Sequence, residues 1–257
     1  TTWEDVLSLT YPEGARYIVK YLPGPDFDPE APVGQPEYKD ATVFKIWNLA
    51  FGTAEQPGRL YAGTIPGGLF VSDDGGDNWE LNRPLWNHES RGGDLFAGEA
   101  TSENRWSGTP ASIDYGVFEP GIHSIVIDPR DPLHMHVAVS SAGVLETTDG
   151  GQSWTGRNHG MLNDYMPNPQ AEWGHDPHFV AGCPGQPAHL WQQNHCGVFY
   201  SDDGAMNWKK VSMPDAGVHF GFPIAVDAHD GRTAWVVPAR ADSERMAIDG
   251  GLSVART

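Results

Sequence analysis

Basic residues are scarce in this chain of 257 residues: Lys and Arg number 16 against 34 Asp and Glu, a formal net charge of −18. A surface of that sign is a poor match for nucleic acid or an anionic membrane. Long apolar runs are missing as well. None approaches the roughly 18–20 residues that a membrane span needs. Cysteine is nearly absent, with 2 in all. Cys183 ends one expected strand and Cys196 the next, about the turn Pro184-Gly-Gln-Pro187. At about 3.3 Å per residue, those strand ends lie on the order of 20 Å apart. A disulfide needs Cα atoms within about 7 Å, so free thiols are expected. With no signal peptide in view, that leans towards a reducing, cytoplasmic setting.

Glycine and proline are plentiful, 31 and 21, with 10 Trp and 39% hydrophobic residues. This balance fits many short strands joined by turns and argues against disorder. The turns share a motif. Ser72-Asp-Asp74-Gly-Gly76-Asp-Asn78-Trp79 recurs as Thr147-Thr-Asp149-Gly-Gly151-Gln-Ser153-Trp154 and as Ser201-Asp-Asp203-Gly-Ala205-Met-Asn207-Trp208. The Asp accepts backbone N–H bonds, the Gly two positions on takes a positive φ, and only Ala205 departs from the pattern. The Trp then enters the next strand as a large apolar group. Thr2-Trp3 reads as the tail of a further box and Thr257 as the first residue of another. There is no initiator Met, and the expectation is a fragment that begins inside one box and stops inside another.

Apolar runs around each box predict four strands per repeat. The first unit has Val43–Leu49, Leu60–Thr64, Leu69–Ser72 and Trp79–Leu81; the second Ile122–Ile127, His136–Ser140, Val144–Thr147 and Trp154–Thr155. The third has Phe179–Ala181, Leu190–Gln193, Val198–Ser201 and Trp208–Val211, and a fourth begins with Pro223–Asp227 and Ala234–Val237. Four antiparallel strands per repeat with an apolar innermost strand describe a β-propeller blade. The expectation for residues 1–257 is a single, partial, all-β propeller domain. It would form an open arc of about four blades from a ring of six to eight.

The extra length lies between blades, at Tyr11–Thr42, Pro84–Gly121 and roughly Gly160–His178. Connections at those points emerge on the face opposite the boxes, where long loops on a rigid scaffold carry function. The first is Pro-rich and acidic and reads as an irregular wall. The others hold the chemistry. Catalytic candidates for a sugar cleft are Asp176, Glu119, Asp114 and Tyr115, since glycoside hydrolysis needs two acids or a Tyr nucleophile with an acidic helper. Trp86, Trp106 and Trp173 are candidate platforms for sugar rings. His123, His178, His175 and His195 are candidate ligands of a divalent metal, with His88 and His219 as further members. His123, His178 and His219 stand at or before innermost strands, so they are expected to converge at the channel mouth near Asp176. Against this stands the plain alternative that each His bonds a loop carbonyl.

The box resembles the Asp-box, or BNR, repeat of sialidases and related β-propellers, where it is a structural turn. Trp47-Asn-Leu49, the run from Leu60 to Phe70, Gly121-Ile-His-Ser-Ile125 and Asp176-Pro-His178 extend the similarity to bacterial sialidase-like, BNR-repeat glycosyl hydrolases. The resemblance implies a glycoside hydrolase acting on an unidentified glycan, or a non-catalytic binding or assembly-factor propeller. True sialidases carry an arginine triad that grips the substrate carboxylate, for which the resemblance offers Arg91, Arg240 and Arg245 as candidates; their Phe-Arg-Ile-Pro motif is not in the chain, which argues against sialic acid. A carbohydrate or another small polar ligand is the expected partner.

Overall fold

The computed structural model describes residues 2, 8–19, 37–91, 120–164 and 168–257. Asp114, Tyr115, Glu119, Trp106 and the box remnant at Trp3 lie outside them. The described chain is all-β. It opens with a hairpin, β1 (Arg16–Val19) and β2 (Glu37–Asp40), paired antiparallel with Arg16 opposite Asp40. The first insertion is therefore not wholly irregular. Strand formers at Tyr17-Ile-Val19 meet a charged partner strand, and the Arg16–Asp40 ion pair at 3.2 Å joins their ends.

Three four-stranded antiparallel sheets follow. The first comprises β3 (Lys45–Phe51), β4 (Leu60–Ile65), β5 (Leu69–Ser72) and β6 (Glu80–Leu81). The second is β7 (Ile122–Ile127), β8 (Met135–Val139), β9 (Gly143–Thr147) and β10 (Thr155–Gly156). The third is β11 (Pro177–Cys183), β12 (Gln186–Asn194), β13 (Gly197–Ser201) and β14 (Lys209–Lys210). A last sheet has three strands, β15 (Gly221–Val226), β16 (Ala234–Pro238) and β17 (Ala255–Arg256). Among the described residues these sheets do not close into a ring or barrel. Cys183 and Cys196 are buried and unpaired.

The three boxes form the same hydrogen-bonded turn. The hydroxyls of Ser72, Thr147 and Ser201 accept the backbone N–H of Gly76, Gly151 and Ala205 at 2.8–3.0 Å. Asp74, Asp149 and Asp203 accept the N–H of Asn78, Ser153 and Asn207 at 2.9 Å. Ala205 takes φ 65° where the others place glycine. The strands resume one residue after each Trp, and the indoles do more than fill space. Trp154 Nε1 donates to Asn82 Oδ1 at 3.1 Å and Trp208 Nε1 to the Arg157 carbonyl at 2.8 Å. The second and third boxes thus reach back to the exit of the preceding sheet. Asn82 also caps α1 (Arg83–Trp86), a single turn not expected from the sequence.

Apolar cores lie between successive sheets. Tyr61, Leu69, Ile122, Val137, Leu145 and Trp154 fill the first gap. Val144, Val180, Leu190, Phe199 and Trp208 fill the second, and Trp191, Val198, Ile224 and Val236 the third. The sheets approach closely where glycine allows it: a Cβ on Gly63 would sit 2.5 Å from the Ile122 carbonyl oxygen. As a result β3, β7, β11 and β15 are successive neighbours, and their first residues share the side opposite the boxes.

Candidate functional site

Each of those four strands carries one irregularity at its start. Trp47, His123 and His178 are each an extra residue between Ile46 and Asn48, Ile122 and Ser124, and Pro177 and Phe179. In β15 the register slips between Gly221 and Ile224, which places Phe222 at the corresponding point. A bulge re-aims its side chain, and these four rings meet in pairs. Trp47 stacks on His123 at 4.4 Å between centroids, and His178 on Phe222 at 4.7 Å. His123 and His178 fall at the strand starts, as expected. Their counterpart in the fourth sheet is Phe222 rather than His219.

The two bulge histidines tie neighbouring sheets together. His123 Nδ1 lies 2.7 Å from the His178 carbonyl oxygen, and His178 Nδ1 lies 2.6 Å from that of Gly221. A carbonyl only accepts, so both Nδ1 atoms carry the proton. In His123, which burial keeps neutral, Nε2 is then a lone pair. His123 Nε2 is buried with no hydrogen-bond partner, and burial lowers the pKa of that ring despite the opposing pull of Asp176. His178 Nε2 faces Asp176 Oδ2 at 3.5 Å, and His195 Nδ1 faces the same oxygen at 3.6 Å.

Asp176 precedes β11, and His195 sits in the turn between β12 and β13. The carboxylate is oriented by the Ser141 N–H, which reaches Oδ1 at 3.2 Å, and its own carbonyl accepts the His195 N–H at 2.9 Å. Ser141 adopts φ 59° to make that contact. Burial pushes the Asp176 carboxyl up, but His178 and His195 pull it down further, so it lies well below the usual carboxylate range. Asp176 in turn raises the pKa of His195. Phe220 meets both imidazoles edge-on at 5.2 and 5.6 Å. Arg245 lies over Phe222 at 5.3 Å while bonding Asp242 at 2.5 Å.

The other expected site residues are dispersed. His175 turns away from its neighbour Asp176, with Nε2 2.7 Å from the Ala171 carbonyl. His88 meets Ser90 and the Trp154 carbonyl and packs on Trp173. Trp173 is 6% exposed in the first core. Trp86 is fully buried against Tyr11 and under Arg91, whose Nη1 bonds the Gly67 carbonyl at 2.7 Å. As placed, neither Trp86 nor Arg91 offers a surface to a ligand; they pack α1 against the first sheet. Arg240 pairs with Glu244 at 3.0 Å, at the same edge of the fold as Arg245.

A second cluster, His134, His136 and Glu146, escapes sequence reasoning and lies at the box end of the second sheet. The register that puts His136 opposite Glu146 was available from the strand assignments. Glu146 accepts from Arg157 at 2.6 Å and lies 2.8 Å from His134 Nε2. Beside it is a cavity of about 110 Å³ lined in part by Asp128, His136 and Cys183. A larger cleft, about 730 Å³, runs along the outer edge past Met161, Glu172, Met206 and Lys210. Neither contains Asp176. Both three-residue clusters are geometrically compatible with a divalent metal: within each, the ligand atoms all lie within 4.8 Å of one another. His123 and His175 belong to neither.

No protein-family model matches the chain, and no curated protein does. Among solved structures it is similar to an ancestral GH74 enzyme, with a TM-score of 0.51 and 18% identity over 84% of this chain and 25% of that one. It is also similar to a GH74 xyloglucanase from Xanthomonas campestris, at 0.40 and 16% over 85% of this chain and 41% of that one. YCF48 bound to a D1 peptide gives 0.44 and 13%, over 91% and 53%. The chain therefore spans a quarter of the first of these proteins and less than half of the second. At 18% identity, what it shares with the ancestral enzyme is the course of its strands.

Proposed function

We propose that this chain forms about four blades of a six- to eight-bladed Asp-box β-propeller. Three boxes with one hydrogen-bonding scheme and innermost strands that run side by side support that reading. On the face opposite the boxes it recognises a small polar ligand, foremost a carbohydrate. The observation that carries this is the Asp176 carboxylate set between two imidazoles, with aromatic rings and Arg245 alongside. A carboxylate beside two imidazoles and an aromatic wall suits a ligand dense in hydroxyls.

The low pKa of Asp176 decides its part in any hydrolysis. A general acid must hold its proton near neutral pH, which calls for a raised pKa. Asp176 is lowered, so it suits an acceptor, base or nucleophile and not the proton donor. Hydrolysis would take its acid from Asp114, Tyr115 or Glu119. A panel of oligosaccharides tests both parts, by titration against the wild-type chain and Asp176→Asn, and by reducing-end release against Glu119→Gln. Binding that weakens at least about tenfold in Asp176→Asn supports the site. Equal binding by both proteins removes it.

A further inference from the structure

We infer that Asp176 Oδ2, His178 Nε2 and His195 Nδ1 form a three-ligand site for a divalent transition ion of the zinc class, with its fourth position open. The first argument is distance. Ligands about 2.1 Å from a tetrahedral ion lie about 3.4 Å from one another. The two nitrogens stand 3.5 and 3.6 Å from the shared oxygen. That is close to the tetrahedral edge, and longer than the roughly 2.7–2.9 Å of a charge-assisted N–H···O bond.

The second argument is where the protons are. His178 spends its Nδ1 proton on the Gly221 carbonyl at 2.6 Å. With Nδ1 so engaged, the ring presents Nε2 to the Asp176 carboxylate, as a nitrogen ligand stands beside an oxygen ligand. Donation of the opposite ring nitrogen to a backbone carbonyl is also how metal-bound histidines are held in their tautomer. Asp176 is fixed in the same way, with Oδ1 on the Ser141 N–H and Oδ2 left for the ion.

The other cluster shows what a completed set looks like. Glu146 has Arg157 on Oε2, at 2.6 Å from Nε and 2.5 Å from Nη2, and His134 at 2.8 Å on Oε1. Asp128 is paired with Arg130 at 2.8 Å and lies 3.6 Å from His134 Nδ1. Two guanidinium groups already balance the two carboxylates, and the His134 contact is a direct hydrogen bond. A dication there would have to displace them. Around Asp176, by contrast, no guanidinium among the described residues bonds the carboxylate; Arg245 is taken up by Asp242.

Two nitrogen donors and one oxygen favour zinc, cobalt or nickel over calcium or magnesium, which take oxygen. The side chains of Asp176 and His195 keep 22% and 29% of their surface exposed, so solvent or a ligand oxygen can complete the shell. Closed structural sites have four protein ligands; a three-ligand site with an open position is the arrangement of sites that act on a bound molecule.

The test uses the whole chain, stripped with a chelator, desalted and titrated with zinc and with cobalt. Metal content after gel filtration gives the stoichiometry, and cobalt absorption the coordination. One zinc per chain and the visible bands of a four-coordinate cobalt ion are expected, with no competition from millimolar calcium. Asp176→Asn and His195→Ala each weaken zinc at least about 100-fold, more than loss of an outer-shell partner does. Glu146→Gln and His134→Ala leave it unchanged. Circular dichroism and urea midpoints confirm that each variant is folded; His178→Ala is less suitable because it also cuts the link to Gly221. Absence of stoichiometric zinc in the wild type overturns the inference. So does zinc that survives Asp176→Asn, or that follows Glu146→Gln instead. None of these readouts needs a glycan, so the metal site stands or falls apart from the carbohydrate reading.

Discussion

Replacing Asn82 by alanine tests how one sheet is joined to the next. Its Oδ1 accepts from Leu85 N at 2.9 Å and from Trp154 Nε1 at 3.1 Å, and its Nδ2 donates to the Gly151 carbonyl at 2.9 Å. Loss of the cap on α1 costs about 1 kcal/mol. The Trp154 indole is 7% exposed, and stranding a buried donor costs about 1–3 kcal/mol. The expected loss is therefore about 2–4 kcal/mol, a large part of the roughly 5–15 kcal/mol that holds a domain together. Urea unfolding followed by tryptophan fluorescence reads it as a lower midpoint at an unchanged slope. Trp154→Phe removes the same bond from the other side. The double variant should then be less destabilised than the two single losses combined, by about 1 kcal/mol. A loss below about 0.5 kcal/mol for Asn82→Ala, or strict additivity in the cycle, would refute the idea that this side chain joins the sheets.

Acid should weaken the boxes. Asp74 and Asp149 are pulled down to about 2 by hydrogen bonds from Asn78 and Ser153. Their folded values lie below the unfolded ones. Their stabilisation is thus complete above about pH 4 and is lost as pH falls towards 2; melting temperatures across that range should drop less steeply in Asp149→Asn. His136 acts at higher pH. Burial lowers it from 6.5 to about 4, so the unfolded chain takes up the proton first and stability declines as pH falls from about 6.5 to about 4. His136→Leu should flatten the unfolding midpoint across that window, and an unchanged slope would contradict the assignment. At the boxes' glycine position, Ala205→Gly relieves about 1–2 kcal/mol of left-handed strain. It returns most of this through chain entropy and a lost methyl, so the midpoint should barely move. Gly151→Ala meets the same strain, and its Cβ would also sit 2.5 Å from Asn82 Nδ2; it should destabilise by at least about 2 kcal/mol in the same urea assay.

The strands of the repeats were legible because local chemistry alone makes them. Ser72, Asp74 and Asn78 bond only to one another and to intervening backbone, so the motif reports the turn wherever it occurs. The second use of Trp154 was not legible. Its indole partner, Asn82, is 72 residues away, and no spacing rule connects the two. Strand starts placed His123 and His178 correctly at one end of the fold, and of the two imidazoles beside Asp176 only His195 comes from a turn, the one between β12 and β13. His219 was chosen over Phe222 because an aromatic hydrocarbon carries no chemical signal, while the register slip that makes Phe222 equivalent appears only in the paired strands. Trp86 and Arg91 looked like site residues because they are polar or aromatic within a long insertion. Their burial follows from α1, a single turn nucleated by Asn82 and Pro84, which lays Trp86 under the guanidinium.

The irregularity at the head of β3, β7, β11 and β15 has a consequence for how such a protein can change. Because the backbone makes its detour whatever side chain is there, the position is an interchangeable socket, filled here by indole, imidazole, imidazole and phenyl in turn. The four rings meet in two stacked pairs, Trp47 with His123 and His178 with Phe222, and draw their support from four different sheets. A substitution at one leaves the hydrogen-bond ladders of the other three intact. Ring stacking and hydrogen bonding can thus be exchanged within this row by single codon changes, with the scaffold acting as a fixed rack. Placing histidine at Phe222 would extend the row of imidazoles to a third sheet without moving a strand.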